Sequence, residues 1–191
     1  VHAKFPFTTK QKIKIAIDSM TGIQSMHDHH LVHRDLHAGN ILLRQNSSGV
    51  FTAVITDFGR TLDPQLATDQ DIPQAPRTRN PPETLVKRFS TIDRYAADVY
   101  AMGCNFHILE WRRAVPWAKL YNVYSLQAYS PERREKMHRY IEKQYAKLKN
   151  EKIGAILSKK SHGKRLTDIE RFRVLIFKML SPSPEKRPSV H

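Results

Sequence analysis

The chain of 191 residues has one cysteine, Cys104, and seven glycines. A single thiol excludes an internal disulfide framework, so a reducing, cytoplasmic setting is the default expectation. The glycines never fall into a G-x-G-x-x-G run, which leaves these residues without a phosphate loop of that kind. No apolar run approaches the roughly 20 residues a spanning helix requires. Nothing at the start has the basic-then-apolar layout of a secretory signal. Internal repeats and low-complexity tracts are missing as well. Acidic residues are scarce: 18 Asp and Glu against 32 Lys and Arg leave a formal net charge of +14.

The basic surplus concentrates from Pro131 to His191, where 17 Lys and Arg face 7 Asp and Glu. Such a field can attract nucleic acid, anionic lipid or acidic partners. Neither aromatic-interleaved strands nor zinc-finger spacing accompanies it. The expectation is therefore a solvated basic face on helices, without nucleic-acid or membrane binding.

With 40% hydrophobic and 26% charged residues, the chain is long and apolar enough for one fair-sized domain with a proper core. Thr8, with Gln11 three residues on, forms a capping box for a first helix reaching about His27. Ile13, Ala16, Ile17, Met20 and Ile23 share its stripe. Ile41-Leu42-Leu43 reads as a brief buried strand. The turn signal Asn46-Ser47-Ser48-Gly49 separates it from a second strand over 51–56, giving a small hairpin. From Arg60 to Pro82 the five prolines and sparse periodicity predict a long surface loop. Tyr95 to Trp111 is apolar nearly all round and reads as a buried helix that includes Cys104. Asp98 lies inside it, and a buried carboxylate must accept hydrogen bonds, here expected from the backbone of a neighbouring loop. Ser130-Pro131-Glu132 starts another helix, with Met137, Tyr140, Ile141 and Leu148 on its stripe. A last helical pattern runs from Leu166 to Leu180, where Ile169, Phe172, Leu175, Ile176 and Met179 share a face. His27, His29 and His30 read as surface or helix-end residues, since no metal-ligand spacing is present.

The chemistry concentrates in His33-Arg-Asp-Leu-His-Ala-Gly-Asn-Ile41. Asp35 and Asn40 stand five positions apart, and Asp57-Phe58-Gly59 follows beyond the hairpin. A carboxylate to deprotonate a hydroxyl, an amide oxygen for one Mg²⁺ and a second carboxylate for metal bridging phosphates form a phosphoryl-transfer set.

Taken in order, Val-His-Arg-Asp at 32 to 35, Asn40, Asp-Phe-Gly at 57 to 59, Pro-Pro-Glu at 81 to 83, Asp-Val-Tyr-Ala-Met-Gly at 98 to 103 and Lys-Arg-Pro at 186 to 188 resemble the successive signatures of a protein kinase C-terminal lobe. The resemblance implies a mainly α fold, a helical body with a small β-hairpin carrying the catalytic and metal-binding loops. It implies ATP and Mg as cofactors and a protein substrate. Asp35 would be the catalytic base, Asn40 and Asp57 would bind metal, and Leu42 would lie beneath the adenine. His33 would stack on Phe58, next to Gly59, and Asp98 would anchor the catalytic loop. Glu83 would pair with Arg187. Arg34 would receive a phosphorylated loop residue, for which Thr61, Thr68 and Thr78 are the candidates.

Some positions depart from that pattern. His37 stands where serine/threonine kinases typically carry Lys; it could still donate to the γ-phosphate, but as a weaker and pH-dependent cation. Gly39 stands where many tyrosine kinases carry Arg, and Pro81 replaces the usual Ala. The spacing between the buried helix and Arg187 implies an insertion among basic helices near 118 to 162. No strand lysine or partner-helix glutamate of an N-lobe is found. Val1 opens the chain, and the closing Glu-Lys-Arg-Pro-Ser-Val-His stops where a helix could start. Residues 1–191 therefore read as a C-lobe incomplete at both ends, needing an N-lobe in cis for efficient transfer. Asp35 to Leu42 also resembles the loop of kinase-like small-molecule phosphotransferases such as aminoglycoside kinases, and a pseudokinase scaffold is a third reading. Asp-Phe-Gly, Pro-Pro-Glu and the Asp98 segment favour the protein kinase.

Overall fold

The computed structural model describes residues 7–66, 79–86, 91–121 and 129–190. Its architecture is a helical body of α1 (Thr9–Asp28), α2 (Arg94–Trp111), α3 (Pro131–Ser161) and α4 (Asp168–Met179). An antiparallel hairpin, β1 (Ile41–Gln45) and β2 (Phe51–Ile55), is set between α1 and α2 in the chain. Among the described residues no helix is long and apolar enough to cross a membrane.

Each helix starts where its local chemistry directs. At α1 the Gln11 N–H donates to Thr8 Oγ1, and the Thr8 N–H donates to Gln11 Oε1 at 2.9 Å, closing the predicted capping box. Ser130 caps α3 ahead of Pro131, and Thr167 caps α4 with Glu170 returning the bond. Asp93 caps α2 by accepting from the Ala96 N–H.

α1 buries Ile15, Ala16, Ser19, Ile23, Met26 and His27. Ile17, expected on that stripe, is instead 57% exposed. At 100° per residue it lies about 140° from the centre of the buried face. The face is chosen by β2, whose Ala53 and Ile55 are its buried members. Gly22 makes this close approach possible: a Cβ there would stand 3.1 Å from Ile55 Cγ1.

β1 is not the buried strand its composition suggests. Leu42 is 57% exposed, and its cross-strand partner Val54 is open too. A two-stranded sheet covered by one helix leaves its other face bare. The turn is as expected: Asn46 Oδ1 accepts from the Ser48 and Val50 N–H groups, and Gly49 adopts φ 76°.

α2 is the central element, with twelve buried residues from Ala96 to Glu110. Gly103 lets α4 come close, since a Cβ there would meet Met179 Cβ at 2.9 Å. Tyr140 on α3 and Leu175 on α4, both placed on core stripes by periodicity, are exposed. The extra length expected between 118 and 162 is, from Pro131 on, one helix of 31 residues. The predicted surface loop up to Pro82 is buried at its far end, where Asn80, Pro81 and Pro82 lead into buried Glu83. Glu83 takes two hydrogen bonds of 2.7 Å from the Arg187 guanidinium, which also donates to the Ser181 and Ala96 carbonyls. That pair pins the segment to the core.

Candidate active site

The backbone of the catalytic loop is shaped from below by Asp98. Its Oδ2 accepts from the His33 N–H at 2.7 Å, and its Oδ1 accepts from the Arg34 N–H at 3.0 Å. His27 Nε2 lies 3.2 Å from the same Oδ2, so this helix-end histidine is buried rather than at the surface. Arg34 sits at φ 68°, a left-handed conformation that costs an arginine roughly 1–2 kcal/mol. The two oxygens of one buried carboxylate hold it there. An uncompensated charge in this position would be expensive, which is why three donors converge on it.

Asn105 is a second anchor that pattern reasoning did not find. Its Nδ2 donates to the Leu36 carbonyl at 3.3 Å, and its Oδ1 accepts from Arg79 Nε at 3.1 Å. Burial pulls the Arg79 guanidinium below its ordinary pKa, with Cys104 and Asp35 opposing. A polar residue in an otherwise apolar helix was the available signal, the same one that marked Asp98.

Above these anchors, Asn40 Nδ2 donates to the Asp35 carbonyl at 2.9 Å, closing the loop on itself. The Thr56 N–H donates to the Asn40 carbonyl at 2.9 Å, one step beyond the Ile41–Ile55 register pair. The hairpin thus brings the segment before Asp57 alongside Asn40. Asp57 takes φ 65°, which an Asp tolerates better than most residues, and its carboxylate is exposed. Behind it, His33 Nε2 lies 3.0 Å from the Thr56 carbonyl, and the His33 and Phe58 rings are 5.7 Å apart between centroids. Phe58 is nonetheless 54% exposed. A Cβ on Gly59 would stand 3.4 Å from Asp57 Oδ1.

The Asp35 side chain is nearly buried, and among the described residues its Oδ1 accepts no hydrogen bond. Two basic side chains flank it at longer range: His37 Nε2 is 3.8 Å from Oδ1, and Arg60 Nε is 3.6 Å from Oδ2. Arg60 carried no signal in the sequence. His37 Nδ1 accepts from the Gly39 N–H at 3.0 Å, which leaves a proton on Nε2, the nitrogen facing Asp35, in the neutral ring. A side chain on Gly39 would collide with this imidazole, its Cβ falling 2.9 Å from the ring.

The donor set suits a hard divalent cation. With Asn40 Nδ2 engaged, the amide oxygen remains for a metal, and Asp57 presents carboxylate oxygens. Among the described residues no group of three or more His, Cys, Asp or Glu could hold a metal ion by itself. Mg²⁺ takes one or two protein oxygens and completes its shell with phosphates and water. Among the described residues Thr61 finds no partner for its buried hydroxyl, while Thr68 and Thr78 lie outside them.

Comparison with known proteins agrees with this geometry. A stretch of 79 residues, 39% of the chain, is 35% identical to the putative serine/threonine-protein kinase-like protein CCR3 of Arabidopsis thaliana. Another of 89 residues, 47% of the chain, is 29% identical to the membrane-associated tyrosine- and threonine-specific cdc2-inhibitory kinase of Drosophila melanogaster. These matches span only 9% and 15% of the two relatives' lengths. The protein kinase domain family matches residues 1–191, the whole chain. By that match and by its fold, this chain belongs to the protein kinase family.

Proposed function

We propose that the chain carries the catalytic and metal-binding half of an enzyme that transfers the γ-phosphoryl group of ATP to a protein hydroxyl, Ser or Thr ahead of Tyr. The observation that carries the reading is Asp35 Oδ1, a carboxylate oxygen withdrawn from water that accepts no hydrogen bond among the described residues. A buried acceptor left open is poised for a substrate hydroxyl, whose proton it would orient and take. Asn40 and Asp57 would hold Mg²⁺, which supplies charge neutralisation on the phosphates when bound. His37 and Arg60 would face the transferring group from either side of the base. Leu42, on the bare face of the hairpin, would support the adenine.

Ser/Thr preference rests on Gly39, which stands where many tyrosine kinases carry Arg, and on the name of the Arabidopsis relative. The nucleotide would be enclosed only when an N-lobe covers that face, so the isolated chain should transfer slowly.

The test is label transfer from ATP by the protein joined to its N-lobe, offered protein substrates in one arm and aminoglycosides or sugars in the other. Labelled protein with phosphoserine or phosphothreonine is expected, and Asp35→Asn should lower the rate about 10²–10⁴-fold. Labelling of the small molecules alone would point to the phosphotransferase reading. Unchanged labelling in Asp35→Asn would overturn the assignment of the base.

A further inference from the structure

A groove of about 370 Å³ runs between α3 and α4, and no catalytic-loop residue lines it. The two helices are tied at one end by Lys159 Nζ, 2.9 Å from both Glu170 oxygens. Further along, the Tyr145 hydroxyl donates to the Phe177 carbonyl at 2.7 Å. Between and beyond these ties Tyr145, Ile153, Leu157, Val174 and Phe177 form an apolar floor. Ile153 and Phe177 are buried in the core, so the floor is fixed rather than improvised.

The rim has the opposite character. Lys149, Lys178 and Lys186 stand around it, and among the described residues none of them pairs with a carboxylate. Lys149 Nζ lies over the Tyr145 ring, 5.8 Å from its centroid. Ser181 and Ser183 add polar groups at the open end. The one acid on the rim, Glu142, lies 3.8 Å from the His138 ring. Lys178, in the last turn of α4, also complements the helix dipole. Lys149 is in mid-helix and Lys186 ends a short 3-10 turn, so neither has that duty.

An apolar floor inside a ring of lysines that, among the described residues, face no carboxylate selects an occupant with both kinds of group. We propose that this groove docks an acidic peptide segment of a protein partner, with a Leu or Phe anchored on the floor and flanking Asp or Glu side chains meeting Lys149, Lys178 and Lys186. Nucleic acid fits less well, because a sugar-phosphate chain would bury no apolar side chain on that floor. The inference is independent of the catalytic reading, since docking is read at equilibrium without nucleotide.

The experiment is fluorescence anisotropy of the 191-residue chain with a short labelled peptide in which a Leu-x-x-Phe pair is flanked by Asp and Glu. Saturable binding that weakens with salt is expected. The K149E/K178E/K186E variant should bind at least about tenfold more weakly. The K136E/K143E/K147E variant changes charge equally on another face of α3 and should stay within about twofold of the parent. If thermal melts show the groove variant unfolded, K149Q/K186Q serves instead, with a loss of about threefold expected. Equal loss in both charge-reversed variants, or equal affinity for the same peptide with Leu and Phe replaced by Ser, would overturn the proposal. So would absence of peptide binding, or tighter binding of a DNA oligonucleotide or phosphatidylserine vesicles than of the peptide.

Discussion

Two carboxylates at the residue scale show how burial sets the cost of an ion pair. Glu83 and Arg187 are both buried, and each oxygen of the acid faces one guanidinium nitrogen at 2.7 Å. Removing one partner strands the other charge away from water. Glu83→Ala should therefore destabilise the fold by about 3–5 kcal/mol, read as a drop in the urea midpoint. An apolar pair of similar volume, Glu83→Leu with Arg187→Met, should recover most of that loss, because the cost is desolvation rather than a missing attraction. Glu110 makes the contrast. Its side chain is buried, yet its partners Lys12 and Arg173 keep one end in solvent. Glu110→Ala should cost about 1–3 kcal/mol, since both cations can turn outward and rehydrate. A urea series on the two single variants separates these cases.

At the scale of the element, α4 stands on its cap. The Thr167 backbone N–H, then Lys159 and the Thr167 hydroxyl, hold the Glu170 carboxyl at a pKa of about 2, below its ordinary value of 4.5. A carboxylate depressed on folding contributes stability above its unfolded pKa, and that contribution is lost as the pH falls through the folded value. Glu170→Gln should thus melt below the parent near pH ~6 and converge with it as the pH approaches ~2. Melting curves of both proteins across that range test the sign. Thr8 with Gln11 is a cap whose partners lie three residues apart in the chain, so that start was legible in sequence. Asp98 was legible too, because a charge inside an apolar helix has few ways to be satisfied. The exposure of Ile17, Leu42, Tyr140 and Leu175 was not. Periodicity says that an element has an apolar face, but which part of it is covered depends on neighbours far away in sequence. His27 escaped for the same reason, since its partner lies 71 positions on. Arg60 joins the site only through contacts that no local pattern encodes, whereas Asn105 offered the signal that marked Asp98, a polar residue within an apolar helix.

For the whole molecule, α2 is the frame on which the remaining parts register. Its start helps seat Arg187 through the Ala96 carbonyl, and its end receives Lys12 from α1 and Arg173 from α4 through Glu110. Its middle carries Asp98 and Asn105, so the helix that organises the core also sets the loop above it. Burial raises the Cys104 thiol on this helix to about 12, which disfavours its thiolate at neutral pH. The left-handed turn at Arg34 belongs to this arrangement as well. A nine-residue loop from His33 to Ile41 moved onto another scaffold would bring its side chains but not its curvature. The smallest transferable unit is discontinuous: the loop, the strand end before Asp57, and a helix offering one desolvated carboxylate to two consecutive amides.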